Sequence, residues 1–280
     1  MKKFIAPFCL SALLTFIAFY PLMNQKSTAD ICLAANSFNE EEKLSLESLI
    51  LLSGEETCQA AKNKMLAFKT LKLGDKQIHS LRPYGYLSGL ESLILWKNKI
   101  KDLKPLSNLK NLKTLILSGN QVQSLEGIQG LKSLNKLSLI NNQIQDLSPL
   151  KALKNLEYLA LDRNQIKEVK VLAGLGSLKT LSLSRNLISD ASSAAKLSKL
   201  ESLDLASNRI EDISFLSNFK NLTSLSIGFN PIKSLEAVSN IIFQLKSLKV
   251  YGLEEKFPAD IKKIKAKTNK ENLELKVFSR

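Results

Sequence analysis

The chain has 280 residues, 44% of them hydrophobic and 24% charged, so it carries ample apolar material for a large core and its balance excludes a disordered chain. There are 40 Lys and Arg against 26 Asp and Glu, a net charge of +14 that would suit a polyanionic partner. Aromatic residues make up only 6% and no basic run is interleaved with them, so no nucleic-acid partner is expected and the lysines read as solvated surface.

The first 29 residues differ from everything after them. Lys2 and Lys3 begin a segment whose residues 4–23 carry no charge, the pattern of an export signal. Ser27-Thr28-Ala29 places small residues where a signal peptidase reads, which predicts cleavage before Asp30, with Leu33-Ala34-Ala35 as the second choice. The apolar run exceeds the roughly 7 to 15 residues of a usual signal core and matches the roughly 20 that span a bilayer. An uncleaved anchor is therefore the alternative, and only then is a membrane association expected. Ala29-Asp30-Ile31 before Cys32 fits a lipidated cysteine poorly, because Asp is neither small nor apolar. Cleavage leaves 37 basic against 26 acidic residues, so the mature chain stays basic. The product is expected to be exported, periplasmic or secreted, and monomeric.

Residues 30–65 read as a helical cap. Asn39 followed by Glu40, Glu41 and Glu42 suits a helix start, and the leucines from Leu44 to Leu52 continue it as far as Gly54. A second helix is predicted from Thr57 to about Leu66. Cys9 lies in the targeting segment, which leaves Cys32 and Cys58. In an oxidising compartment these two can pair, closing a loop whose constraint contributes on the order of 3 kcal/mol, with two buried free thiols as the alternative. The only histidine is His79 and there is no Cys-x-x-Cys, so no metal is expected.

Periodicity then fixes the architecture. Asparagines fall at Asn98, Asn120, Asn142, Asn164, Asn186, Asn208 and Asn230, each 22 residues after the last. Five and three residues before each comes an apolar pair, from Leu93/Leu95 to Leu225/Ile227, which is the spacing of inward positions on a short strand. Two residues after each comes Ile or Val, followed by a less regular return such as Asp102-Leu103-Lys104-Pro105-Leu106. An earlier turn keeps the register through Leu71, Leu73, Ile78, Leu81 and Leu87 but has Lys76 in place of Asn. A later one fits after a single-residue insertion, through Leu245, Leu248 and Val250. About nine strands are therefore predicted over residues 66–253. One such coil cannot bury its own leucines, so coils must stack on one another. The expected fold is an α/β solenoid: a curved, right-handed array with a parallel concave sheet and short 3₁₀ or irregular turns on the convex side. The Asn side chains are expected to turn inward and satisfy backbone groups.

Residues 254–280 read as a small C-terminal cap. Pro258 to Ala266 has helical spacing at Ile261 and Ile264, and Leu273, Leu275 and Val277 alternate like a final strand. Residues 256–280 carry eight Lys or Arg against three acids, a modest basic surface.

Outward strand positions are free of packing duty, so what they carry reflects use. The early and middle coils offer Ile94, Trp96, Ile116, Ile140 and Tyr158, expected side by side on the concave face and bordered by Arg163 and Arg185. Later coils offer mostly small hydroxyls, such as Thr180, Ser202 and Ser224. An exposed Trp and Tyr among isoleucines, edged with arginine, has the composition of a protein-binding hot spot, and these seven residues are the candidate partner site. The alternative is a basic solenoid that binds an anionic envelope polymer or membrane surface through charge alone. There is no Gly-x-Ser-x-Gly, no phosphate-binding Gly loop and no His-Glu-x-x-His, so no catalytic residues and no cofactor are expected and the chain does not read as an enzyme.

The motif Leu-x-x-Leu-x-Leu-x-x-Asn-x-Ile-x-Asp-Leu-x-Pro-Leu, followed most closely by residues 90–109 and 134–153, resembles the 22-residue leucine-rich repeats typified by bacterial internalins. The resemblance covers residues 66 to about 253 and implies a partner-binding solenoid. The same class includes cytoplasmic regulators of protein phosphatases, a branch the export segment argues against. Wall-anchored internalins carry a Leu-Pro-x-Thr-Gly sorting signal and modules after the repeats, which this sequence does not show.

Overall fold

In a computed structural model, residues 31–56, 58–268 and 274–276 are described. Residues 1–30, where the targeting segment and its cleavage are expected, lie outside them, as do Thr57, Leu273 and Val277. The cap begins with a short helix α1 (Ile31–Ala34), followed by α2 (Glu40–Ser53) and α3 (Cys58–Ala67). Asn39 starts α2 with a reciprocal pair: its Oδ1 accepts from the Glu42 N–H at 2.9 Å, and its own N–H donates to Glu42 Oε2 at 3.0 Å. Gly54 ends α2 in the left-handed conformation that glycine takes without steric penalty. Cys32 and Cys58 are bonded, with their Cα atoms 5.9 Å apart, and tie α1 to α3. Arg82 of the first coil reaches back to Glu42 at 3.1 Å, which joins cap to repeats.

Among the described residues ten short parallel strands form one sheet in sequence order. They are β1 (Thr70–Lys72), β2 (Ser92–Ile94), β3 (Thr114–Ile116), β4 (Lys136–Ser138), β5 (Tyr158–Ala160), β6 (Thr180–Ser182), β7 (Ser202–Asp204), β8 (Ser224–Ser226), β9 (Ser247–Lys249) and β10 (Glu274–Lys276). The first nine are the predicted array, and the tenth is the cap strand expected around Leu275, added in parallel to β9. Register follows the sequence period without slippage from β1 to β8: Leu71 pairs Leu93, Leu93 pairs Leu115, and so on to Leu203 with Leu225. The extra residue falls in the return after β8. There a short helix α4 (Glu236–Ile241) replaces the 3₁₀ turn of other coils, so Leu225 still meets Leu248. A period count shows that one residue is inserted but not which segment absorbs it.

The return segments are 3₁₀ turns because their leucines recur every third residue. In coil 2, Leu103, Leu106, Leu109 and Leu112 are all fully buried, as residues three apart on a three-residue turn share a face. An aspartate starts several of these turns: Asp102 accepts from the Lys104 N–H at 2.9 Å and Asp146 from the Ser148 N–H at 2.8 Å. The Ser148 hydroxyl and N–H hold the Asp146 carboxyl below the usual carboxylate range. This gives the Asp in the repeat motif a local structural purpose.

The asparagines face inward, each 6 to 8% exposed. Asn142 shows what they do. Its Nδ2 donates to Leu139 O of its own coil and to Leu117 O of the coil before, both at 3.0 Å, while its Oδ1 accepts from Val122 N of the coil before at 3.0 Å. Asn98 makes the equivalent bonds to Leu95, Leu73 and Ile78, and also accepts from Lys76 N. Every such amide therefore reaches to the preceding coil. At the far end α5 (Pro258–Thr268) buries Ile261 and Ile264 as expected, and Lys256 Nζ donates to Ile232 O at 2.6 Å.

Candidate functional site

Each coil presents four outward positions on the open sheet face, at six, four, two and one residues before the Asn position. The first two lie on the strands. The third and fourth lie just beyond, where the ladder continues: Lys97 N donates to Ser118 O, Arg163 N to Ser184 O and Phe229 N to Tyr251 O, all at 2.8 Å. The fourth position is left-handed in every coil, from Asp75 (φ 57°) through Arg163 and Arg185 (56° and 55°) to Phe229 (56°) and Gly252 (71°). The chain turns out of the strand there and lifts the side chain onto a ridge beside the sheet.

The seven candidate residues all face outward, but they divide among these columns. Ile94 and Ile116 are register partners on β2 and β3, and both are half-buried. Trp96 and Ile140 share the third column, two coils apart with Ser118 between them, so the five apolar residues are not one contiguous strip. Tyr158 stands at the start of β5 beside Lys136, whose ammonium lies 4.8 Å from its ring centroid. Arg163 and Arg185 are exposed neighbours on the ridge. Alternation along a strand identifies a face and not a column, which is why the side-by-side arrangement held only for the isoleucine pair.

Trp96 is 40% exposed because its indole lies flat across the first coil. A Cβ built on Gly74 would stand 2.1 Å from its Cε2, so glycine is what lets the ring settle there. The Lys97 ammonium lies 5.7 Å from the same ring. A second aromatic group at the other end of the face escaped sequence reasoning. Phe229, 58% exposed, stacks on Tyr251 with centroids 6.3 Å apart and planes at 24°. Phe229 occupies the same register position as Arg163 and Arg185, so that position in coil 8 was the available signal. Tyr251 was hidden by the one-residue insertion.

From β6 to β8 the strand positions are mainly hydroxylic, and two carboxylates stand with them, Asp204 on β7 and Asp162 just beyond β5. Asp162 accepts from the Ser182 hydroxyl, from the Ser184 hydroxyl at 2.6 Å and from the Ser184 N–H at 3.0 Å. Asp204 accepts from the Ala206 N–H at 2.9 Å. Burial pushes the Asp204 carboxyl above the usual carboxylate range against that bond and the Ser226 hydroxyl. With the folded pKa above the unfolded one, the charged carboxylate costs stability at neutral pH, and that cost vanishes once pH falls below the unfolded value of about 3.9. Asp204→Asn retains an acceptor for Ala206. The variant is expected to melt above the wild type at neutral pH and to lose that advantage near about pH 3. Thermal melts at the two pH values check this, and an equal advantage at both would contradict it.

Among the described residues no group of three or more His, Cys, Asp or Glu side chains is placed to hold a metal ion. No helix among them is long and apolar enough to cross a membrane. Across one flank, ion pairs between residues 22 apart link successive coils, such as Lys113 with Glu91 at 2.8 Å and Lys179 with Glu157 at 2.7 Å. These side chains are exposed, so the pairs are worth little individually.

A profile for leucine-rich repeats in two-copy units matches residues 88–131, 110–152, 132–174, 176–218 and 198–240, together more than half of the chain. Solenoids of this class are generally protein-binding scaffolds. Internalin C2 of Listeria monocytogenes, a solved structure, is 33% identical with a TM-score of 0.68, over 74% of this chain and 92% of that one. Internalin F of the same organism is 23% identical with a TM-score of 0.52, over 90% and 94%. The plant peptide hormone receptor RGFR1, solved in complex with RGF2, is 23% identical with a TM-score of 0.56, over 66% of this chain and 32% of the receptor. At 23% the last two show the fold alone. No curated protein sequence matches the chain. The chain belongs to the leucine-rich-repeat family and is an internalin-like member of it.

Proposed function

We propose that the chain is an exported, monomeric scaffold without catalytic activity that takes a protein partner on its open sheet face. The observation that carries this is Trp96. It is the chain's only tryptophan, it sits on the outward face at 40% exposure, and the repeat asks nothing of that position beyond clearance. Ile94 on the same coil and Ile116, Ile140 and Tyr158 on the next three add further apolar side chains to this face, though not as one continuous strip. Large aromatic side chains flanked by cations concentrate binding energy in protein interfaces. The targeting segment and the Cys32 to Cys58 bond support an oxidising destination outside the cytoplasm. The plant receptor solved with RGF2 supports a peptide or protein as the kind of ligand this fold accepts.

A single tryptophan makes the face its own reporter. Partner fractions are taken from cell-envelope and culture proteins retained by the wild-type chain. Adding the retained protein is expected to protect Trp96 from acrylamide quenching, and Trp96→Ala is expected to weaken capture by roughly 30-fold, the effect of a hot spot worth about 2 kcal/mol. Capture that survives Trp96→Ala but collapses between low and high salt would instead favour the anionic-polymer reading.

A further inference from the structure

The ridge of left-handed residues carries a selective pattern. Left-handed backbone suits Gly, Asn and Asp, and Asp75, Gly119, Asn141 and Gly252 conform. Lys97, Arg163, Arg185, Ser207 and Phe229 do not, and of these Arg163, Arg185 and Phe229 are the large side chains of the later coils, for which the repeat gives no reason. The two arginines are one coil apart on adjacent turns, and among the described residues neither guanidinium has an ion pair or a side-chain hydrogen bond. The nearest carboxylate along the chain, Asp162, makes no ion pair with either arginine, and its Oδ1 accepts from Ser182 and Ser184 instead. Their ridge neighbours, Asn141 on one side and Ser207 on the other, are neutral. Two unpaired cations bounded by neutral residues fit a single carboxylate better than a polyanion, which would call for a longer basic run.

Phe229 stands three coils beyond Arg163 and two beyond Arg185. At about 4.8 Å per strand step this is about 10 to 14 Å, or three to four residues of extended chain at roughly 3.5 Å each. Resting on the reading of the sheet face as a protein-binding surface, we infer that Arg163 and Arg185 form a fork for one acidic side chain of the partner. The partner segment lies along the ridge and places an apolar side chain three or four residues away against Phe229 and Tyr251.

The test uses the full mature chain and an array of amide-capped ten-residue peptides. Each peptide carries one Glu and one Leu or Phe, at spacings from one to seven, in a neutral background. The wild type is expected to select spacings of three and four. Arg163→Asn with Arg185→Asn, which installs the residue coil 4 already uses at this position, is expected to melt like the wild type and to lose at least tenfold in affinity for the selected peptides. The Arg→Lys pair is expected to fall between, keeping charge without the fork. Phe229→Ala is expected to erase the spacing preference while leaving the preference for Glu. The inference is overturned if no peptide is selected, if Glu is not preferred, or if the Asn pair binds as the wild type does. It is also overturned if polyphosphate binds as tightly as the selected peptides and Phe229→Ala leaves that unchanged. Capture that depends on Trp96 while the array shows no acidic preference would sink this inference alone and leave the sheet-face reading standing.

Discussion

Asn142→Leu is expected to lower the unfolding free energy by about 3 kcal/mol, although Leu is apolar and close to Asn in size. The reason is what it leaves behind. Val122 N–H, which donates to Asn142 Oδ1 at 3.0 Å, is stranded in the core, and Leu117 O and Leu139 O each lose one of two amide donors. A buried donor without a partner costs roughly 1 to 3 kcal/mol, and a carbonyl that keeps one of its bonds costs less. Urea titration checks this, with the midpoint expected to fall by about 1 M at a slope near 3 kcal/mol/M. Asn142→Asp offers a control. Its ionised carboxylate faces the two carbonyls without a proton to give, so it is expected to be at least as damaging at neutral pH and to recover partly in acid. A midpoint for Asn142→Leu within error of the wild type would show that water reaches the seam between coils.

Gly127→Ala is expected to be comparably severe, at about 4 kcal/mol, from left-handed strain of about 1 to 2 kcal/mol and overpacking of about 1 to 3 kcal/mol. Gly127 opens the return of the third coil at φ 102°. A Cβ there would stand 2.5 Å from Lys104 Cα, 2.6 Å from Leu103 O and 2.7 Å from Lys104 N. These atoms are backbone of the neighbouring coil, so they cannot rotate away as a side-chain tip would. Gly176→Ala is the matched comparison: no atom lies within 4 Å of its added Cβ. It is expected to be neutral or to stabilise by about 0.4 to 1 kcal/mol through the unfolded chain. Denaturation of the two variants side by side decides the point, and equal stabilities would remove close coil stacking as the cause.

The fold was legible because one coil repeats its instructions. Leucines in period two, an Asn every 22 residues and leucines three apart specify strand, seam and turn in each coil, so a weak local signal is read many times over. The inward amides and the nine array strands followed from it, whereas the cap strand came from local alternation around Leu275 and the Cys32 to Cys58 bond was one of two outcomes left open by the cysteine count. The outward face was less legible, since no repetition constrains it. Period two placed Trp96 and Ile140 on the correct side without showing that Ser118 separates them. Nothing in the composition of residues 74 and 96 announced that the indole would lie over Gly74. Phe229 was passed over although Arg163 and Arg185, at the same place before an Asn, were read as bordering the site, and the backbone angles show that this position lifts each side chain into the open.

Because each seam amide bonds to the coil before it, the solenoid has a head and a tail. The first coil has helices behind it and no earlier coil for an amide to fasten, so Lys76 can stand where its successors have Asn, while Asn98 secures the first turn's Lys76 and Ile78 N–H groups. The leading coil can therefore lack the amide, the last coil, with Leu253 at that position, does without it too, and the seven coils between them all carry one. Lengthening by duplication of a 22-residue unit meets the same rule, and a copied unit inserted anywhere behind the leader arrives already carrying its own fastener.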